Sequence, residues 1–382
     1  MKLGDLDPEI WLSKYALPLW SERGYDYATS TVWESLSHDG KPEVQKSKRL
    51  RVQARQAFCF ATAADYGADP DSLIEKALSL VKFIFERGVD RNSRYLASTL
   101  HPDGVIETAR HDLYDVCFVL LAISALLRRG QSVDKELAQA IGMLDELKAQ
   151  AGWDESKMPH TTRRQNPHMH LFECSTELFS VTGAPQFKRI ADECLDLFKR
   201  VFLQPDGNVF EYFTLDWKPL DLGQSIEPGH MMEWIYLIDK YENITNQSCD
   251  IDLGRIFEKG CSYLDTFSLL PDSALPLSNT RRLWPQTEFL KASVVIQRRR
   301  IPCATKVMPC LIFDTIQSEY LEGAATGGWY DRRTVSGELI SDNMPASTFY
   351  HTLLALLMYS KNQGSTQRQN VISRLANPSF HP

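Results

Sequence analysis

His111-Asp112-Leu113-Tyr114-Asp115-Val116-Cys117-Phe118-Val119-Leu120-Leu121-Ala122-Ile123-Ser124-Ala125-Leu126-Leu127 opens on polar residues and continues as a strongly apolar helix. Neither it nor any other apolar run approaches the roughly 20 residues of a membrane span. On both sides of it, apolar residues recur at helical spacing through most of the chain, while long alternating runs are scarce. The pattern predicts about a dozen helices, beginning near residues 8, 46, 71, 109, 132, 167, 186, 227, 250, 286, 303 and 345. Breaks with turn chemistry separate them: Ala68-Asp69-Pro70, His101-Pro102-Asp103-Gly104, Thr182-Gly183-Ala184-Pro185, Gln204-Pro205-Asp206-Gly207 and Pro271-Asp272-Ser273. Two longer loops are expected to carry short β-hairpins: 206–222, with Val209-Phe210-Glu211-Tyr212-Phe213, and 323–343, with Gly327-Gly328-Trp329-Tyr330.

Helix pairs joined by short turns, with longer loops gathered at one end, predict an all-α (α/α)6 barrel, a toroid of about twelve helices forming one domain over residues 1–382. An α-solenoid or an irregular bundle would also be helical, but a solenoid should repeat a motif and none is found. The tail from Lys361, rich in Ser, Gln, Asn and Pro, reads as an extension of the domain that frays at its end.

The 382 residues are 43% hydrophobic and 24% charged, enough to bury a large core. Net charge is −7, and the 42 lysines and arginines are spread along the chain apart from short runs such as Arg298-Arg299-Arg300. That distribution argues against a nucleic-acid partner, which needs a concentrated basic face. Eight cysteines without a CxxC pair read as buried free thiols of a reducing cytoplasm. The first twelve residues lack the apolar core of a signal peptide, so a cytoplasmic location is expected, with a homodimer kept open.

Four of the nine histidines fall in three motifs that open helices. These are Asn166-Pro167-His168-Met169-His170-Leu171-Phe172-Glu173, Glu227-Pro228-Gly229-His230-Met231-Met232-Glu233-Trp234 and Pro345-Ala346-Ser347-Thr348-Phe349-Tyr350-His351. Proline in a first turn is preorganised for helix. At about 100° per residue the rings of His168 and His170 diverge by about 200°, so only one faces inward. Asn166, His170 and Glu173 share a face at i, i+4 and i+7, which makes His170 the inward residue and His168 a structural one. Glu233, three residues after His230, is placed to orient that imidazole or raise its pKa. Zinc or manganese would also suit His and Glu donors, but His-x-His chelates from a strand rather than a helix, so no metal is expected.

Val52-Gln53-Ala54-Arg55-Gln56-Ala57-Phe58 sets Arg55 in an otherwise apolar helix, where an unpaired cation is costly. Arg55 should therefore meet a carboxylate or a polar ligand. Asp112 reads equally as an N-cap or a site residue, and Tyr114 and Asp115 are placed to reach a cavity.

Val52-Gln53-Ala54-Arg55-Gln56, Asp112-Leu113-Tyr114-Asp115, the three histidine motifs and Arg282-Leu283-Trp284-Pro285-Gln286 together resemble the N-acylglucosamine 2-epimerase superfamily. They follow that family's order from about Gln53 to His351, and the Asn-Pro-His-Met-His motif is most similar to the D-mannose isomerase branch. The resemblance implies an (α/α)6 barrel, no metal or redox cofactor, and aldose–ketose isomerisation through a cis-enediolate. It implies catalytic His230 and His351 supported by His170 and Glu233, with Arg55, Tyr114, Asn166 and Trp284 binding substrate. The sulfoquinovose isomerases of the superfamily place Gln four residues before the last histidine; here Ser347 stands, which disfavours a sulfonated substrate.

Isomerising an aldose removes the C2 proton and returns it at C1 while another proton moves between the oxygens, work a histidine can do near neutral pH. His351 is expected to carry the carbon-bound proton. His230, oriented by Glu233, is expected to open the ring and move the oxygen proton, with Arg55 stabilising the enediolate and Trp284 stacking on the sugar. The expected activity is interconversion of D-mannose and D-fructose, with a monosaccharide as the partner. The nearest alternative is 2-epimerisation of the N-acylglucosamine or cellobiose type. A glycoside hydrolase, with Glu233, Asp115 and Glu173 as candidate carboxylates, does not call for three histidines, and a non-enzymatic binding protein is the remaining reading.

Overall fold

The computed structural model describes residues 6–220 and 225–376. Among them are twelve α-helices: α1 (Pro8–Trp11), α2 (Leu50–Ala63), α3 (Pro70–Arg87), α4 (Leu113–Arg128), α5 (Asp134–Asp145), α6 (Gln165–Thr182), α7 (Pro185–Leu197), α8 (Pro228–Thr245), α9 (Leu253–Cys261), α10 (Leu283–Arg299), α11 (Pro309–Ile316) and α12 (Thr348–Ala376). The largest offset from expectation is at α11, predicted near 303 and starting at Pro309.

Burial sorts the helices into two rings. In α4 every residue from Asp115 to Leu126 is buried, as an inner helix requires. Outer α3 buries only the stripe Leu73, Ala77, Leu80, Val81, Phe83 and Ile84. Helices α2, α4, α6, α8, α10 and α12 pack each on the next, and α12 returns to α2, closing the inner ring. Helices α3, α5, α7, α9 and α11 pack back on the inner helix that precedes each, and α1 covers α12. The arrangement is an all-α (α/α)6 toroid. None of its described helices is long and apolar enough to cross a membrane.

Eleven short strands decorate the described residues: β1 (Tyr25–Asp26), β2 (Thr31–Val32), β3 (Ser35–Ser37), β4 (Lys48–Arg49), β5 (Ala97–Leu100), β6 (Ile106–Ala109), β7 (Arg163–Arg164), β8 (Tyr212–Phe213), β9 (Thr280–Arg282), β10 (Arg332–Thr334) and β11 (Asn343–Pro345). They form the antiparallel sets β1-β2, β3-β11, β4-β5-β6, β7-β8 and β9-β10. Both predicted hairpin loops fold back on themselves, Phe213 bridging Pro219 and Arg333 bridging Leu339, and each also pairs with a distant strand, β8 with β7 and β10 with β9. One expectation is corrected here. His101-Pro102-Asp103-Gly104 joins β5 to β6 rather than two helices. Helix α12 runs on to Ala376 through most of the expected tail, whose last residues, 377–382, lie outside the described ones.

Strands β4, β7 and β9 end on a basic pair just before α2, α6 and α10, and each pair is anchored in the same way. The first member is buried against an aspartate: Lys48 on Asp26 at 2.7 Å, Arg163 on Asp154 at 3.0 Å, Arg281 on Asp265 at 2.7 Å. The second is the N-cap residue, and its backbone N–H donates to a carboxylate: Arg49 to Glu34 at 2.9 Å, Arg164 to Glu155 at 2.6 Å, Arg282 to Asp272 at 2.6 Å. The same carboxylates face the guanidinium groups of those residues, closely in the first two cases. This device fixes where three inner helices begin, and with them one mouth of the ring.

Candidate active site

The N-terminal turns of the inner helices surround a cavity of about 360 Å³. Arg55, Tyr114, Asn166, His170, His230, Glu233, Trp284 and His351 all line it. His168 points elsewhere: its Nδ1 bonds the Arg164 carbonyl at 3.0 Å and its Nε2 accepts the Trp153 N–H at 3.2 Å. Burial lowers its pKa to about 3, so it is a neutral structural residue. Asp115, expected to reach the cavity, is instead buried against Arg51 at 3.0 Å, and Asp112 caps α4 by accepting the Tyr114 N–H at 2.9 Å.

The three cavity histidines each turn Nδ1 to a carboxylate, and their surroundings give them different charges. His170 is 3.0 Å from Glu173, whose other oxygen accepts from the Tyr350 hydroxyl. Burial outweighs Glu173 and lowers His170 to about 4. His351 lies 2.7 Å from Glu288, yet burial, with Arg55 and Lys291 nearby, holds its pKa well below the usual value. His230 lies 2.9 Å from Glu211 and 3.6 Å from Glu227. Burial opposes charge there, but the two carboxylates prevail and push His230 up to about 10. One cavity thus holds two neutral imidazoles and one imidazolium at neutral pH.

Glu233 does not orient His230 as the helical spacing suggested. The Nδ1 position is taken by Glu211, which is fixed by Gln165 Nε2 at 2.9 Å, while Gln165 accepts from Trp234 Nε1 at 2.8 Å. Both Glu233 oxygens are buried without a hydrogen-bond partner among the described residues, and burial beside Glu288 pushes its carboxyl well above the ordinary range, so it is a neutral acid. Among the described residues Arg55 meets no carboxylate. It donates to the Tyr114 hydroxyl at 2.7 Å and lies 4.1 Å from the Phe118 ring centroid, leaving Nε unpaired. The Trp284 ring lies beside both His230 (5.1 Å) and His351 (5.4 Å). Asn166 Oδ1 is buried and unpartnered at the cavity.

Residues 32–355 match the family model for N-acylglucosamine 2-epimerase. The chain belongs to that family. It is 31% identical over 375 residues to a mannose-6-phosphate isomerase of Rhizobium meliloti (strain 1021), covering 91% of this chain and 94% of the relative. Among solved structures, a cellobiose 2-epimerase from Spirochaeta thermophila DSM 6192 superposes with a TM-score of 0.80 at 19% identity, covering 94% of this chain and 96% of that one. A D-mannose isomerase superposes with a TM-score of 0.78 at 19% identity, covering 91% and 95%. These structural likenesses show the shared toroid.

In this member of the 2-epimerase family three His–carboxylate groups have donor atoms within 4.8 Å of one another: His170, Glu173 and Glu233; Glu211, Glu227 and His230; Glu233, Glu288 and His351. The donor sets suit a hydrogen-bonded network better than a divalent ion. Tyr350 donates to Glu173, Lys291 sits 2.7 Å from Glu288, and Gln165 donates to Glu211. A metal would have to displace these donors.

Glu211, Glu227 as a second partner of His230, and Glu288 are the site residues that sequence reading missed. A signal existed for Glu211: it is the charged residue in the aromatic run Val209–Phe213 and is only 3% exposed. Glu288 lies four residues beyond Trp284 on α10, the spacing that keeps two side chains on one helical face.

Proposed function

We propose that this family member interconverts an unphosphorylated aldose and its ketose, D-mannose and D-fructose, through a cis-enediolate. The observation that carries the reading is the split between His351, neutral and free to accept a proton, and His230, held as an imidazolium. Pairs of groups whose environments push their pKa values apart serve as base and acid. His351 takes the C2 proton and returns it at C1, while His230 protonates the ring oxygen on opening and then moves the proton between O1 and O2. Arg55, the cavity-lining arginine without a carboxylate partner among the described residues, stabilises negative charge on the enediolate.

Two-base 2-epimerisation is the second reading, favoured by the placing of His230 and His351 beside the same Trp284 ring. A two-base epimerase needs each histidine to both take and give a carbon proton. A ring held at about 10 by two carboxylates is better suited to oxygen. The mouth supports an unphosphorylated substrate: Arg49, Arg51, Arg164 and Arg282 line it, and each already faces a carboxylate.

Incubation with mannose, mannose 6-phosphate, glucose, N-acetylmannosamine and cellobiose in deuterated water, with and without EDTA, tests this by NMR. The expected result is fructose from mannose carrying deuterium at C1, unaffected by chelation and faster than conversion of the phosphate ester. Deuterium at C2 of an epimeric aldose as the main product would establish the epimerase. Loss of turnover in EDTA, restored by one divalent ion, would overturn the metal-free reading.

A further inference from the structure

Beneath the carbon base lies a buried cation with no part in the chemistry above. Lys291 is completely buried one turn after Glu288 on α10, with Nζ 2.7 Å from Glu288 Oε2 and 4.1 Å from the Tyr236 ring centroid. Glu288 is equally buried, and its Oε1 accepts from His351 Nδ1 at 2.7 Å. Dehydrating an ammonium and a carboxylate costs several kcal/mol per ion, and a hydrophobic residue would fill the space without that cost. A buried pair of this kind, touching a catalytic ring, points to a role in that ring's charge.

We infer that Lys291 is the positioning residue of the carbon base: by matching the charge of Glu288 it lets His351 keep its Nδ1–H···O bond while remaining neutral, with Nε2 free to take the C2 proton. The inference rests on the reading of His351 as that base. His230 supplies the comparison within the same cavity. There two carboxylates act on a buried imidazole, among the described residues with no lysine against them, and the ring is driven to the imidazolium. At His351 a single, closer carboxylate does not do so: two cations, Arg55 and Lys291, act on the ring, and of the two Lys291 is the one set against that carboxylate.

The other groups around this pair do not replace it. Arg55 of α2 adds a second positive charge, His170 and Glu173 face it from α6, and Glu233, Tyr236 and Lys240 from α8. Glu173 is itself held ionised by His170, Lys240 and Tyr350, and Glu233 is neutral by burial. Burial raises the Glu288 carboxyl and Lys291 is the main group that lowers it, so removing that charge would leave the hydrogen-bonded Glu288–His351 pair to take up a proton between them.

The test is the titration of the His351 ring by NMR in the full-length protein labelled with ¹⁵N-histidine, assigned with His351→Asn. In Lys291→Met the titration should move up by about one pH unit or more, and adding Glu288→Gln should reverse the shift. Lys291→Gln keeps a donor to Glu288 and loses only the charge, so it should shift likewise and stands in should the methionine variant not fold. The acid limb of kcat/KM should follow, lowering kcat/KM roughly tenfold at pH values below it, with the plateau above it kept. A folded neutral variant whose His351 titrates as in the wild type overturns the inference. So does failure of both neutral variants to fold while Lys291→Arg folds, which would make the lysine a residue of core stability. Ring titration needs no sugar, so a wild type that shows no C2 exchange would refute the proposed reaction and leave this result standing.

Discussion

At His230 two carboxylates act on one ring, and the nearer of them, Glu211, comes from outside the helix. Its removal should therefore be felt as a loss of acid. In Glu211→Gln the pKa of His230 should fall from about 10 toward neutrality, because the raised value depends on that carboxylate. A group whose pKa is raised works below that pKa, so the alkaline limb of kcat/KM should move down and activity at pH 8 should fall about tenfold or more. An unmoved limb in the pH profile would show that Glu211 does not set the charge. What was legible at this scale was what one helix contains. Asn166, His170 and Glu173 share a face by helical arithmetic, and the structure brings Asn166 and His170 to the cavity with Glu173 bonded to His170. Glu211 reaches His230 from 19 residues away through a strand, and no spacing rule within α8 could foresee it.

Helix α8 begins with Pro228 and Gly229, and the glycine has a steric task. A Cβ at Gly229 would meet the Trp284 ring at 2.6 Å and Pro285 Cβ at 3.0 Å. Gly229→Ala should fold but displace the indole that lies beside His230 and His351. A shift of about 1 Å at a reacting centre can cost on the order of 10²-fold, so kcat/KM should drop by roughly 10- to 100-fold with the melting temperature little changed. Wild-type activity in this variant would dissociate Trp284 from catalysis. Helix starts were readable because proline, capping residues and apolar periodicity act within one turn. Strand partners were not, since β7, β8, β9 and β10 are two or three residues long and pair across 50 or 52 positions, as in Arg163 with Phe213 and Arg281 with Arg333.

Across the whole molecule the ring closes by α12 packing on α2, and the carboxylate clamps on Arg49, Arg164 and Arg282 repeat three times around it. That repeat escaped a search for periodic motifs because acid and arginine lie 15, 9 and 10 residues apart. Buried ionisable groups also set how the whole chain responds to acid. His168, His170 and His351 stay neutral in the fold below the ordinary histidine pKa, so each destabilises the fold as pH drops. Asp115, Glu227 and Glu233 hold protons that the unfolded chain would lose, which acts the other way. In His168→Gln one opposing term is gone. The stability advantage of the wild type over that variant, measured by urea denaturation, should shrink by about 1.4 kcal/mol per pH unit below about 6.5; a constant gap would show that His168 is not buried neutral. The central claim is that one histidine, His351, handles the carbon-bound proton. The direct measurement is exchange of the mannose C2 proton in deuterated water, followed by NMR for wild type, His230→Asn and His351→Asn. The account predicts that His351→Asn abolishes exchange while ring opening continues, and that His230→Asn slows turnover about 10²–10⁴-fold but is partly rescued by an open-chain analogue. Near-normal exchange in His351→Asn would contradict it and move the search for the base to His170.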